Sequence, residues 1–108
     1  MSRTLHLPLK KEWYEMIESG VKTEEYREIT EYWIKRLTTL NVSFLPFSYR
    51  YGYLDIPFKP FDCVKFSYGY TKRTMTFECC GITIGKGRSV WGALGNNVFI
   101  IKLGKRIE

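Results

Sequence analysis

At 108 residues the chain is long enough for one domain with its own core, and a hydrophobic content of 44% argues against disorder. Seventeen basic against eleven acidic residues give a net charge of +6, which favours an acidic partner such as nucleic acid. Three cysteines and one histidine, His6, form neither an even disulfide set nor a well-spaced group of zinc ligands. We therefore expect reduced thiols, no metal and no cofactor.

The sequence contains no apolar run near the ~20 residues that a membrane helix needs. Met1–Thr4 lead straight into a periodic segment and not into an apolar targeting region. We therefore expect a cytoplasmic protein that does not interact with membranes.

The chain begins with alternating leucines at 5–9, which are typical of a short edge strand where Pro8 is tolerated. Apolar residues then follow helical spacing over 9–17, and we expect Trp13 and Met16 in the core. Gly20 is predicted to end this helix with a positive φ.

A second helix is predicted after a charged, extended segment at 22–28. Thr30 is the expected N-cap, and the apolar residues over 33–40 form the buried side. Three prolines and many aromatic residues follow over 41–60, where we expect a short strand or hairpin around Ser48–Ile56, or a flap over a site.

Apolar residues alternate with polar ones over 63–68 and 74–80, and a strongly apolar strand is predicted at 98–103. Gly81 is expected to form a bulge. Helices come first and strands afterwards, an order that predicts a single α+β domain over 1–108 with a largely antiparallel, barrel-like sheet.

The densest ionisable chemistry is the pattern Gly20-x-Lys22-x-x-Glu25-x-Arg27. A glutamate between two cations stays ionised and orients them toward a phosphate, a carboxylate or a polar base edge. The alternative is a network of exposed ion pairs, each worth about 0–1 kcal/mol.

A second candidate group combines Lys65, Tyr68, Arg88 and Trp91. The two aromatic rings can stack on bases, at about 1–3 kcal/mol per base, while the two cations neutralise phosphates. The alternative for Trp91, beside Gly92 and Ala93, is ordinary packing.

The pattern from Gly20 to Arg27 resembles the signature of the ASCH family (activating signal cointegrator homology). Segments with the same resemblance follow in order: Tyr32–Leu37, Phe61–Tyr70, Trp91–Ala93 and Val98–Gly104. The resemblance implies a PUA-like, mostly antiparallel β-barrel with two N-terminal helices. It also implies a cleft that binds RNA or a modified nucleoside or nucleotide, with Lys22, Glu25 and Arg27 projecting into it.

Two other functions stay open. Some members of the family are ribonucleases, and others are amidohydrolases that deacylate N4-acetylcytidine. The amidohydrolases use a lysine and a threonine that lies three residues after it in the sequence. Lys22 matches the lysine, but Glu25 stands at the threonine position. A hydrolase here would use Lys22 as a general base and Glu25 as its partner. The third possibility is an adaptor that contacts another protein through the aromatic residues of 44–58.

Overall fold

The computed structural model describes residues 3–45 and 56–108. The predicted strand, hairpin or flap within 41–60 falls mostly on 46–55, outside the described residues. The chain divides into two compact units. The first unit comprises Met1–Glu25, Pro60–Gly81 and Ile101–Glu108, and the second comprises Tyr26–Lys59 and Ile82–Ile100.

Two helices and five strands make up the described secondary structure, together with one 3-10 turn. In chain order they are β1 (Thr4–Leu9), α1 (Lys11–Glu18), β2 (Glu24–Glu28), α2 (Glu31–Leu37), β3 (Cys63–Tyr68), β4 (Thr74–Gly85), the 3-10 turn (Ser89–Trp91) and β5 (Val98–Arg106). The predicted α+β class, with both helices in the first part of the chain, is confirmed. That these elements form one domain stays a prediction.

The five strands form one sheet in the order β1-β3-β4-β5-β2. β1 pairs with β3 in parallel, from Thr4 opposite Cys63 to Leu9 opposite Tyr68, whereas β3 and β4 are antiparallel. The sheet is therefore mixed, and β1 and β2 stand at the two ends of the described order instead of closing a largely antiparallel barrel. Alternation of side chains predicts strands but not their direction, because both pairings share a period of two.

The first unit packs α1 and the described strand segments around an apolar core. Tyr14 is fully buried in it, and its ring meets that of Tyr68 edge to face at 5.2 Å. Trp13 and Met16, which we expected in the core, are only half-buried. The helix is therefore rotated relative to our prediction, with Tyr14 and Ile17 on its buried side.

The second unit is organised around α2. Thr30 caps this helix as predicted, since its hydroxyl accepts a hydrogen bond from the Trp33 amide at 3.4 Å. Ile34 and Leu37 are completely buried. Beyond the helix, Thr38 forms an isolated bridge with Phe58, so the chain returns to α2 after the part that is not described.

Candidate functional site

Lys22 and Glu25 form a buried ion pair in the first unit. The Lys22 side chain is inaccessible to solvent, and its Nζ lies 2.7 Å from Glu25 Oε1. The same ammonium donates to the Glu24 carbonyl at 2.6 Å and lies 5.6 Å from the centre of the Trp13 ring. The lysine charge is thus compensated inside the protein. The alternative interpretation, a network of exposed ion pairs, is therefore wrong for Lys22 and Glu25.

The backbone between α1 and β2 turns Lys22 inward. Gly20 has a φ of +85°, as predicted for the residue that ends the helix. The Lys22 amide then donates to the Met16 carbonyl at 3.0 Å, so the chain folds back over the last turn of α1. Because β2 begins only at Glu24, Lys22 lies in this turn and not in the strand. It can therefore reach a residue three positions later.

Arg27 belongs to the second unit and occupies a different environment. Its Nη1 donates to the Tyr26 carbonyl at 2.7 Å, and its guanidinium lies 5.3 Å from the centre of the Trp33 ring. Such a guanidinium–indole contact orients the cation without neutralising its charge. Arg27 is half-buried, so part of its side chain is exposed to solvent.

A groove of about 1070 Å³ lies within the second unit. Residues 26–30, Trp33, Lys86 and 92–98 line it. The lining includes two cations, Arg27 and Lys86, and one carboxylate, Glu28. It also includes apolar side chains and the amides of Asn96 and Asn97. This volume lies at the upper end of the range for small-molecule sites, roughly 300–1,000 Å³, and the mixture of apolar wall and a few polar groups is common in such sites.

Tyr26 connects the two sides of this groove. Its hydroxyl accepts a hydrogen bond from the Arg88 amide at 2.9 Å, and its ring packs with Ala93, Val98 and Ile100. Gly87, with a φ of +64°, passes so close to the ring that an added Cβ would lie 2.8 Å from it. The loop after β4 is therefore held against β2 by both packing and a hydrogen bond.

The second predicted group does not form one cluster within either unit. Lys65 and Tyr68 lie on β3 in the first unit, three positions apart and hence on opposite faces of the strand. The guanidinium of Arg73 lies 5.0 Å from the centre of the Tyr68 ring. Arg88 and Trp91 lie in the second unit, where the guanidinium stacks 4.6 Å from the indole centre. Neither belongs to the described lining of the groove.

Several groove residues escaped sequence reasoning. The apolar pattern of α2 predicts Trp33 as a core residue, and Glu28, Lys86, Asn96 and Asn97 do not stand out in the sequence. The polar Gly-Asn-Asn sequence before the last apolar strand is a signal that was available, because it marks a loop and binding residues are commonly found on loops. Together with Arg27, these residues are the candidate site.

Cys79 and Cys80 follow one another in β4 but differ in environment. Cys80 is exposed, whereas partial burial of Cys79 raises the pKa of its thiol. Because the thiolate is the reactive species, we expect iodoacetamide to alkylate Cys80 several-fold faster than Cys79 near neutral pH. The Cys79 rate should rise only at a higher pH than that of an ordinary thiol. Peptide mapping by mass spectrometry over a pH series measures both rates, and equal rates would contradict the burial of Cys79.

Within 3–45 and 56–108, no group of three or more histidine, cysteine, aspartate or glutamate side chains is placed to hold a metal ion. No helix in the described part of the chain is long and apolar enough to cross a membrane. A scan against protein-family models, a search of curated proteins and a search of solved structures each found no significant match to this chain.

Proposed function

We propose that the chain is an ASCH domain that binds RNA or a nucleotide in the groove of the second unit. The observation that carries the proposal is the presence of Arg27 and Lys86 in one groove, beside the indole of Trp33. Guanidinium and ammonium groups recognise phosphates. Aromatic side chains such as that of Trp33 can stack on a base.

In this proposal the residues of the Gly20–Arg27 pattern have separate roles. Lys22 and Glu25 neutralise each other inside the first unit and stabilise the chain where it enters β2. Arg27, two positions further along the strand, contacts the ligand. The PUA-like fold is part of the same proposal. It is supported by the order of elements (strand, helix, charged strand, helix, then three strands), although the described sheet is mixed.

The arrangement of Lys22 favours binding over hydrolysis. A general base must be neutral and within reach of the proton that it removes. Here the amine lies 2.7 Å from the Glu25 carboxylate and has no exposed surface, so a substrate proton is out of its reach. A hydrolase that uses Lys22 as its base would first have to break this buried pair.

The proposal predicts that Arg27→Ala and Lys86→Ala each weaken binding of a single-stranded RNA of about ten nucleotides. We expect roughly a tenfold decrease in affinity for each variant, because each substitution removes one cation that neutralises a phosphate. The plot of log affinity against log salt should become less steep by about 0.7 for each phosphate that is no longer neutralised. Fluorescence anisotropy at several salt concentrations measures both quantities.

Lys72→Ala is the matched control, since Lys72 is exposed, lies in the first unit and carries the same charge. This variant should keep the RNA affinity within about twofold of the wild type. An exposed charge outside the site attracts RNA only at long range, and dissolved salt screens that attraction. Equal decreases in Lys72→Ala and Arg27→Ala would show that net charge, and not the groove, determines binding. Unchanged affinity in both groove variants would also reject the proposal.

A further inference from the structure

Two charged side chains in the groove have no partner within the described residues. Neither the Glu28 carboxylate nor the Lys86 ammonium makes a hydrogen bond or an ion pair with any part of the chain that the structure describes. Both residues are exposed and both line the groove. They differ in this from Lys22 and Glu25, whose opposite charges are paired and buried.

The chemistry of these two groups defines what they can bind. An ammonium is only a donor and suits an anionic group such as a phosphate, whereas an ionised carboxylate is only an acceptor. Glu28 therefore requires a hydrogen-bond donor on the ligand and repels an acceptor placed at the same point. A ligand that satisfies both residues carries an anion at one end and a donor at the other.

Among nucleotides, this requirement separates the bases. Cytosine and adenine present an exocyclic amino group, and guanine presents one on its other edge, whereas uracil presents a carbonyl oxygen in the position of the cytosine amino group. A carboxylate accepts a hydrogen bond from the cytosine amino group. It cannot form one with the uracil oxygen, because both groups are acceptors and repel each other. The side chains of Asn96 and Asn97 can both donate and accept, so they do not impose this selection by themselves.

We infer that the groove selects nucleotides whose base carries an exocyclic amino group, and that Glu28 is the residue that determines this selection. The inference rests on the proposed function, because it assumes that a nucleotide occupies this groove. Glu25 does not serve as this acceptor in the proposal, because its carboxylate accepts a hydrogen bond from the buried Lys22 ammonium.

The test compares short single-stranded oligo(C) and oligo(U) RNAs at neutral pH by fluorescence anisotropy. We expect the wild-type protein to bind oligo(C) about tenfold more tightly than oligo(U), the size of a single base contact. Glu28→Gln should reduce that ratio to about twofold or less, because an amide can donate to the uracil oxygen. Glu28 is exposed, so this variant should keep its fold.

Glu15→Gln is the control, since it removes the same charge from an exposed residue of α1 outside the groove and should keep the wild-type ratio. A wild-type protein without preference, or a preference that survives in Glu28→Gln, would overturn the inference. In both of those results the binding itself would remain and would still depend on Arg27. Absence of binding to either RNA would instead reject the proposed function, and the inference with it.

Discussion

Lys22→Met is expected to lower the free energy of unfolding by about 3–5 kcal/mol. The substitution removes the cation but leaves the Glu25 carboxylate, whose side chain is only 6% exposed, without the ammonium 2.7 Å away. Loss of a counter-ion is far more costly for a buried charge than for an exposed one, because burial keeps water from solvating the charge that remains. Urea unfolding followed by tryptophan fluorescence measures the change.

Two further variants test whether the buried charge causes the loss of stability in Lys22→Met. Lys22→Met combined with Glu25→Leu should regain most of the stability, because a buried ion pair can be replaced by apolar residues at little cost. Lys35→Met breaks the exposed pair with Glu31, whose atoms are 2.8 Å apart, and should cost less than about 1 kcal/mol. If Lys22→Met were as mild as Lys35→Met, the burial of the first pair would be wrong. A double variant no more stable than the single one would point to disrupted packing.

Gly87→Ala is expected to lower the free energy of unfolding by about 2–4 kcal/mol and to weaken RNA binding as well. A side chain at a φ of +64° is strained by about 1–2 kcal/mol. The added methyl group would also lie 2.8 Å from the Tyr26 ring and 3.0 Å from Ala93, and overpacking of this kind costs a further ~1–3 kcal/mol. Both neighbours line the groove, so their displacement changes its shape.

Gly20→Ala separates the effect of backbone strain from that of overpacking. Gly20 has a φ of +85°, but an added Cβ there would meet nothing within 4 Å. It should therefore cost only the backbone strain, about 1–2 kcal/mol, and leave RNA affinity unchanged. Thermal and urea unfolding of both variants provide the comparison. Equal destabilisation by the two substitutions would contradict the close approach of Gly87 to Tyr26.

Much of the local structure was predictable because local physics determines it. The positive φ of Gly20, the capping hydroxyl of Thr30 and the strands at 63–68, 74–80 and 98–103 all follow from the preferences of neighbouring residues. The parallel direction of β1 relative to β3 does not follow from these local preferences, because it depends on the path of the chain between the two strands. A parallel pair needs a long crossover, which the alternation of side chains does not reveal.

The environment of each charge was harder to predict than its position. An extended chain through 22–28 would place Glu25 and Arg27 on one side, and that geometry suggested a common site with Lys22. In fact Lys22 lies in the turn before β2, where its ammonium reaches Glu25 and is buried. Burial depends on the three-dimensional packing around the turn, and a spacing of charges in the sequence contains no information about it.

The groove could not be predicted because its two sides are distant in sequence. Residues 26–30 and Trp33 supply one side, and Lys86 and residues 92–98 supply the other. Tyr26 links the two segments, because its hydroxyl accepts a hydrogen bond from the Arg88 amide. A tryptophan on the apolar side of a helix usually packs in the core, so the sequence predicts packing for Trp33. Its contact with Arg27, 5.3 Å from ring centre to guanidinium carbon, became visible only in the folded chain.

The location of the ligand is the central claim, and an NMR titration tests it most directly. Isotope-labelled protein is titrated with oligo(C) RNA while the amide, arginine Nε and indole signals are recorded. We expect the largest shift changes at Arg27, Trp33 and residues 92–98, and little change at Lys22 or Glu25. Shift changes centred on the first unit, around Lys65 and Tyr68, would contradict binding in the groove.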